Sequence, residues 1–132
     1  MSRDRWTQQQ LDRHLANKRV SELDALEMPA SKAVEEERDL QRQCENWLND
    51  QGIWWDHDPD SRGKRPGIPD LKICYQGAFV VAELKSRTGK VKPDQQKEMA
   101  VIRKNKGRTF IARSLDEFIY KLTNEINEDR PR

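Results

Sequence analysis

Gly67-Ile-Pro-Asp-Leu-Lys-Ile-Cys-Tyr-Gln-Gly-Ala-Phe-Val-Val-Ala-Glu-Leu-Lys85 is the stretch on which the fold turns. It reads as two strands around a tight Gln76-Gly77 turn. In the first strand Asp70, Lys72 and Cys74 share one face, and Leu71, Ile73 and Tyr75 the other. In the second, Phe79, Val81, Glu83 and Lys85 share a face opposite Val80, Ala82 and Leu84. Both faces stay largely apolar until Glu83, so this strand is expected at the centre of a sheet, covered on both sides. Asp70, Glu83 and Lys85 then converge from adjacent strands at one end of that sheet. Two carboxylates and an ammonium beside so hydrophobic a run point to a metal-dependent phosphodiesterase site.

Upstream, residues 31–52 predict a helix with Val34, Leu40, Cys44, Trp47 and Leu48 on one side. Ser31 is its expected N-cap, and Gly52 its stop. Glu36 and Glu37 both lie within reach of the apolar stripe; helix phase prefers Glu37. Ile53-Trp54-Trp55 reads as a short strand, more boundary than ligand platform, and residues 56–67 as a loop. Residues 1–31 read as a weakly amphipathic arm in which Thr7 can cap a short helix. Downstream, Pro93 suits the first turn of a helix that ends near Gly107. Residues 109–112 read as a strand. Ser114-Leu-Asp-Glu117 is a capping box opening a helix with Leu115, Phe118, Ile119, Leu122 and Ile126 inward. A domain over 32–126 and a frayed tail over 127–132 follow. The order is α-β-β-β-α-β-α, an α/β class.

The chain has 132 residues, 36% of them charged and 34% hydrophobic, with a mean hydropathy of -1.08. One domain with a small core is expected. The net charge is +2, but it is unevenly spread. Residues 62–108 carry 13 Lys/Arg against 4 Asp/Glu, the footprint of a polyanion-binding surface around the acids. Arg62, Lys64 and Arg65 precede Asp70, and Arg87, Lys90 and Lys92 follow Lys85; both trios are expected to hold phosphates. Cys44 and Cys74 lack zinc-ligand spacing and read as buried free thiols. No apolar run approaches a membrane span and no signal peptide precedes Trp6, so a soluble, cytoplasmic chain is expected.

Phosphodiester hydrolysis needs a nucleophilic water, in-line geometry and charge compensation on the leaving oxygen. Bound Mg²⁺ or Mn²⁺ serves all three, and such hard cations take oxygen ligands. Asp70 and Glu83 supply carboxylates, and the backbone carbonyl of Leu84 offers a further oxygen. Lys85, on the same face as Glu83, can orient the attacking water or neutralise developing charge. Two rival readings stand beside it: a non-catalytic DNA-binding module that uses the basic face, and an assembly protein acting through the arm, for which the acids are ordinary surface charge.

Gly67-Ile-Pro-Asp-Leu71, Ala82-Glu-Leu-Lys85, Gly89, Pro93-Asp-Gln95, Gly107 and Phe110-Ile-Ala-Arg-Ser114 together resemble the VRR-NUC branch of the PD-(D/E)XK nuclease superfamily. The similarity also takes in Glu37-Arg-Asp-Leu-Gln41 and spans roughly residues 35–120. It implies a restriction-endonuclease-like α-β-β-β-α-β core and a metal-dependent DNA endonuclease. It further implies metal binding by Asp70, Glu83 and the helix carboxylate Glu37, catalysis by Lys85, and a role for Gln95, with Gln96 the alternative by spacing. Small stand-alone relatives usually act as homodimers on branched or duplex DNA, so a structure-selective, junction-resolving role is the expectation by analogy.

Overall fold

The Gln76-Gly77 turn organises the sheet. Both residues have positive φ, 48° and 81°, the geometry of a two-residue hairpin turn whose twist matches its strands. Across it, Leu71–Tyr75 (β2) pairs antiparallel with Ala78–Leu84 (β3), Tyr75 facing Ala78. The computed structural model describes residues 7–14, 30–57, 67 and 69–130. Within these, Trp54–Asp56 (β1) adds antiparallel to β2, and Arg108–Ala112 (β4) adds parallel to β3. The four strands lie in the order β1-β2-β3-β4, so β3 is internal as expected. Val80 to Leu84 are all buried.

Residues 8–14 form α1; Ala30–Asp50, Pro93–Lys104 and Leu115–Thr123 form α2, α3 and α4. Thr7 caps α1 reciprocally: its Oγ1 accepts from the Gln10 N–H and its own N–H donates to Gln10 Oε1. At the end of α2, Gly52 (φ 69°) takes the left-handed position. The Gly52 N–H donates to Asn49 O and the Ile53 N–H to Leu48 O, so the carbonyls of the last turn are satisfied by a Schellman pair. The same pair of bonds ends α3 and α4, with Lys106 and Glu125 rather than glycine at the left-handed position.

One face of the sheet packs on α2 and α4. Leu40, Cys44 and Leu48 from α2 meet Leu71, Ile73, Val80, Ala82 and Leu84 from the hairpin, with Phe110, Phe118 and Leu122 behind them. Phe118 sits edge-on to Trp47 and tilted against Phe110, centroids 6.2 and 5.6 Å away. The other face carries α3 over a smaller cluster of Val91, Met99 and Ile111.

Several expectations need correcting. Helix α2 begins at Ala30, so Ser31 lies inside it rather than capping it. Val34, a turn before the core begins, is 53% exposed. Cys74 is exposed on the strand face opposite the larger core, while Cys44 is buried and its thiol pushed far up by desolvation. Ile126 lies beyond the end of α4. The tail does not fray at residues 127–129. Edge strand β4 has outward amides to satisfy, and the tail supplies the acceptors. Thr109 N–H donates to Asn127 Oδ1, Ile111 N–H to Glu128 Oε1, and Glu128 N–H to Thr109 O. Asp129 pairs with Arg103 at 2.9 Å.

Candidate functional site

Ladder register pairs Leu71 with Ala82, which sets Asp70 opposite Glu83 at the sheet's end. Asp70 Oδ2 accepts the Leu84 N–H at 3.0 Å, tying the start of β2 to the end of β3. Gly67 explains the rest of that motif. Its φ is 86°, and a Cβ there would lie 2.4 Å from the Asp94 carbonyl oxygen. The chain passes against the first turn of α3 so closely that a side chain does not fit.

Glu83 is 1% exposed. Its Oε1 accepts from Gln95 Nε2 at 2.7 Å and faces Lys85 Nζ at 3.4 Å. Its Oε2 is buried without a donor. Gln95 is itself fixed, because its Oε1 accepts the Lys92 N–H at the start of α3. Gln96 instead donates to Val91 O, so of the two glutamines it is Gln95 that reaches the acids. Glu37 comes from α2: it accepts the Ser86 N–H and lies within the fields of Lys85 and Asp70. Glu36 turns to Arg87, accepting its backbone N–H at 2.8 Å and its Nε at 3.0 Å. Leu84 contributes backbone here and buries its side chain in the larger core.

The electrostatics are strained in one direction. Burial pushes the Glu83 carboxyl up to about 8, the Asp70 charge adding to the rise and Lys85 opposing it. Burial raises Asp70 too, against the Leu84 N–H, Lys85 and His57; a protonated Glu83 can donate to it. Burial likewise raises Glu37, with Lys85 opposing and Asp70 adding. Burial thus raises all three carboxyls around one ammonium, which opposes the rise. That clustering is the electrostatic signature of a functional site.

Asp70, Glu83, Lys85, Gln95 and Glu37 are therefore brought together. Lys90 and Lys92 are exposed on the following loop. Arg87, expected among the phosphate-holding residues, is paired with Glu36. Arg62, Lys64 and Arg65 lie outside the described residues. Sequence reading missed two neighbours. His57, just after β1, places Nδ1 3.0 Å from the Asp70 carbonyl oxygen. Arg113 donates through Nη1 to Ser86 O at 2.8 Å and to Gly89 O, clamping the loop that follows Lys85. Its place just after β4, in register with the end of β3, was the available signal.

A divalent cation suits these residues. The donors are hard oxygens, the buried Glu83 Oε2 lacks a partner, and positive charge would relieve all three raised carboxyls. Among the described residues no closed cage of three or more His, Cys, Asp or Glu side chains forms. Mg²⁺ needs none, since it keeps several waters and takes one or two carboxylates.

An antiparallel hairpin extended by a parallel β-α-β crossover, with acids and a lysine at the end of its central strands, defines a mixed α/β domain of restriction-endonuclease-like fold. The family follows from comparison. The VRR-NUC domain family matches residues 3–116, arm included, and the chain belongs to it and hence to the nuclease superfamily. Two similar solved structures share the fold. One, described as a VRR_NUC domain, superposes with a TM-score of 0.56 at 22% identity over 65% of this chain and 92% of that one. Another, described as a VRR_NUC domain protein, gives 0.53 at 19% identity over 73% and 95%. No curated protein matches the chain.

Proposed function

We propose that the chain is a metal-dependent endonuclease that hydrolyses phosphodiester bonds in DNA, using Mg²⁺ or Mn²⁺. The observation that carries this reading is the buried Glu83: one oxygen held by Gln95 and Lys85, the other without a donor, opposite Asp70. Asp70 and Glu83 would hold the ion, with the Leu84 carbonyl and Glu37 beside them. When bound, it supplies an activated water and charge compensation on the phosphate. The chain's own residues do the rest. Lys85 neutralises developing negative charge and orients the attacking water. Gln95 keeps Glu83 Oε1 turned toward Lys85, and Arg113 holds the loop on which Lys90 and Lys92 meet the backbone of the substrate. Among the described residues no helix is long and apolar enough to cross a membrane.

Selectivity for branched DNA, and a homodimer that would present two such centres to one junction, belong to the same proposal. The test is cleavage of plasmid and four-way-junction DNA with Mg²⁺, Mn²⁺ or EDTA, beside Asp70→Ala and Lys85→Ala. The expected outcome is cleavage that needs the ion and falls at least about 100-fold in either variant. Binding without cleavage in the parent chain would return the reading to a DNA-binding module.

A further inference from the structure

On the α3 side of the sheet the β1–β2–β3 rows leave the buried site and become open. Register sets Trp54 beside Cys74 and Cys74 beside Phe79, a single cross-strand row. All three are exposed, Trp54 by 60% and Phe79 by 52%. The next row toward the site is Asp56, Lys72 and Val81. Side chains alternate along a strand, so Cys74 shares a face with Asp70 and Phe79 with Glu83, each four residues away. At about 3.3 Å per residue the aromatic row lies about 13 Å from the acids. Phe79 borders the turn after α3, where a Cβ on Gly107 would meet its ring at 3.4 Å. Exposed Lys104 and Lys106 precede that glycine.

We propose that the Trp54–Cys74–Phe79 row is a stacking subsite for unpaired bases of the DNA strand entering the site, an inference that rests on the nuclease reading above. Two aromatic rings separated by a small side chain offer π-faces that accept any base. Exposed aromatics on a sheet are a known way for a protein to hold unpaired bases. The charge favours a polyanion: Lys72 stands in the next row and exposed Lys104 and Lys106 precede the glycine that Phe79 borders, against Asp56 as the acid of these two rows. Size disfavours a second protein. Two large aromatics bury about 150–250 Å² each, well short of the roughly 800 Å² per partner of a stable interface. At about 3.4 Å per stacked base, 13 Å is about four nucleotides, so the subsite would grip a single-stranded flank that far from the cut.

The experiment is fluorescence anisotropy of the full chain in EDTA, with a blunt duplex and with the same duplex carrying a six-nucleotide dT flank. Trp54→Ala and Phe79→Ala are each expected to weaken binding of the flanked DNA about 10-fold and to leave blunt-duplex affinity within two-fold. Trp54→Phe is expected to retain most of the preference, with unchanged far-UV circular dichroism in all three. Equal losses on both DNAs, or no loss on either, overturn the subsite. So does a change in sedimentation on Trp54→Ala with flank preference intact, which would make the row a contact between copies. Binding without metal is independent of cleavage. Flank preference in a chain that never cuts sinks the nuclease reading and keeps the subsite; cleavage without flank preference does the reverse.

Discussion

The two faces of the sheet are built to opposite ends. Under α2 and α4 the packing is dry: leucines, isoleucine, valine and two phenylalanines fill the space with no buried charge among them. Under α3 the apolar cluster shrinks to Val91, Met99 and Ile111, and the buried residues beside it include Glu83 and Lys85. Burial of apolar surface contributes about 25 cal/mol per Å², whereas burial of ionisable groups costs free energy unless they are paired. The first face therefore stabilises the domain, and the second spends part of that stability on holding charge out of water. The same strands serve both, because alternate residues of β3 point to opposite sides.

The largest effect should come from the dry face. Phe118→Ala removes the ring that joins Trp47 on α2 to Phe110 on β4. Its expected cost is about 3–5 kcal/mol, a large share of the 5–15 kcal/mol typical of a domain, read as a lower urea midpoint. Met99→Ala on the other face should cost less, toward about 2 kcal/mol, because its cluster is small. Equal costs would erase the contrast.

The second prediction reverses the sign. Glu83, Asp70 and Glu37 all have folded-state pKa values raised above their ordinary ones. The folded chain then binds more protons than the unfolded chain, so stability falls as pH rises. For Glu83 that contribution is full below pH 4.5 and is lost as pH climbs to about 8. Metal-free protein should melt at a lower temperature at pH 8 than at pH 5. Glu83→Gln, which cannot ionise, should flatten the dependence and raise the midpoint at pH 8. Thermal melts in EDTA across that range decide it, and a midpoint unmoved by the substitution would mean Glu83 carries no strain. Lys85 tempers the cost without cancelling it, since it faces the same Glu83 oxygen that Gln95 already holds.

The dry face was legible in sequence because alternation is periodic: Leu71, Ile73, Val80, Ala82 and Leu84 declare one side by spacing alone. The hairpin turn and the stops at Gly52 and Gly107 were legible for the same local reason. At Gly107, however, the left-handed residue is Lys106, and the glycine is needed because Ile102 Cγ2 would lie 2.6 Å from its Cβ. The three central site residues were legible as a joint pattern on two strands. What was not legible depends on contacts distant in sequence. Glu36 and Glu37 are neighbours on one helix turn, and what separates them is a partner 51 positions away, Arg87, which takes the first. His57 meets the carbonyl of Asp70, a residue 13 positions further along the chain. The docking of Asn127 and Glu128 on β4 needs an edge strand's unpaired amides, which no local pattern announces. The arm illustrates this too: Arg13 of α1 forks onto Asp116 at the start of α4, at 2.9 and 3.2 Å.

The smallest effect isolates the hinge between the two regimes. Gln95 belongs to the first turn of α3, where its Oε1 satisfies the Lys92 N–H, and also to the site, where its Nε2 holds Glu83. Gln95→Ala loses both bonds. The lost cap should cost about 1 kcal/mol of stability, and the lost donor should reduce cleavage about 10- to 100-fold, as for other groups that orient a metal-binding side chain. Gln95→Glu separates the two. It keeps an oxygen for the Lys92 N–H, so α3 stays capped, but places a second carboxyl against Glu83, so cleavage should fall at least as far while the melt is affected far less by cap loss. Gln96→Ala, whose side chain reaches Val91 O instead, should leave cleavage within two-fold. If Gln96→Ala matched Gln95→Ala in activity, the effect would lie in the helix terminus itself and not in the hold on Glu83.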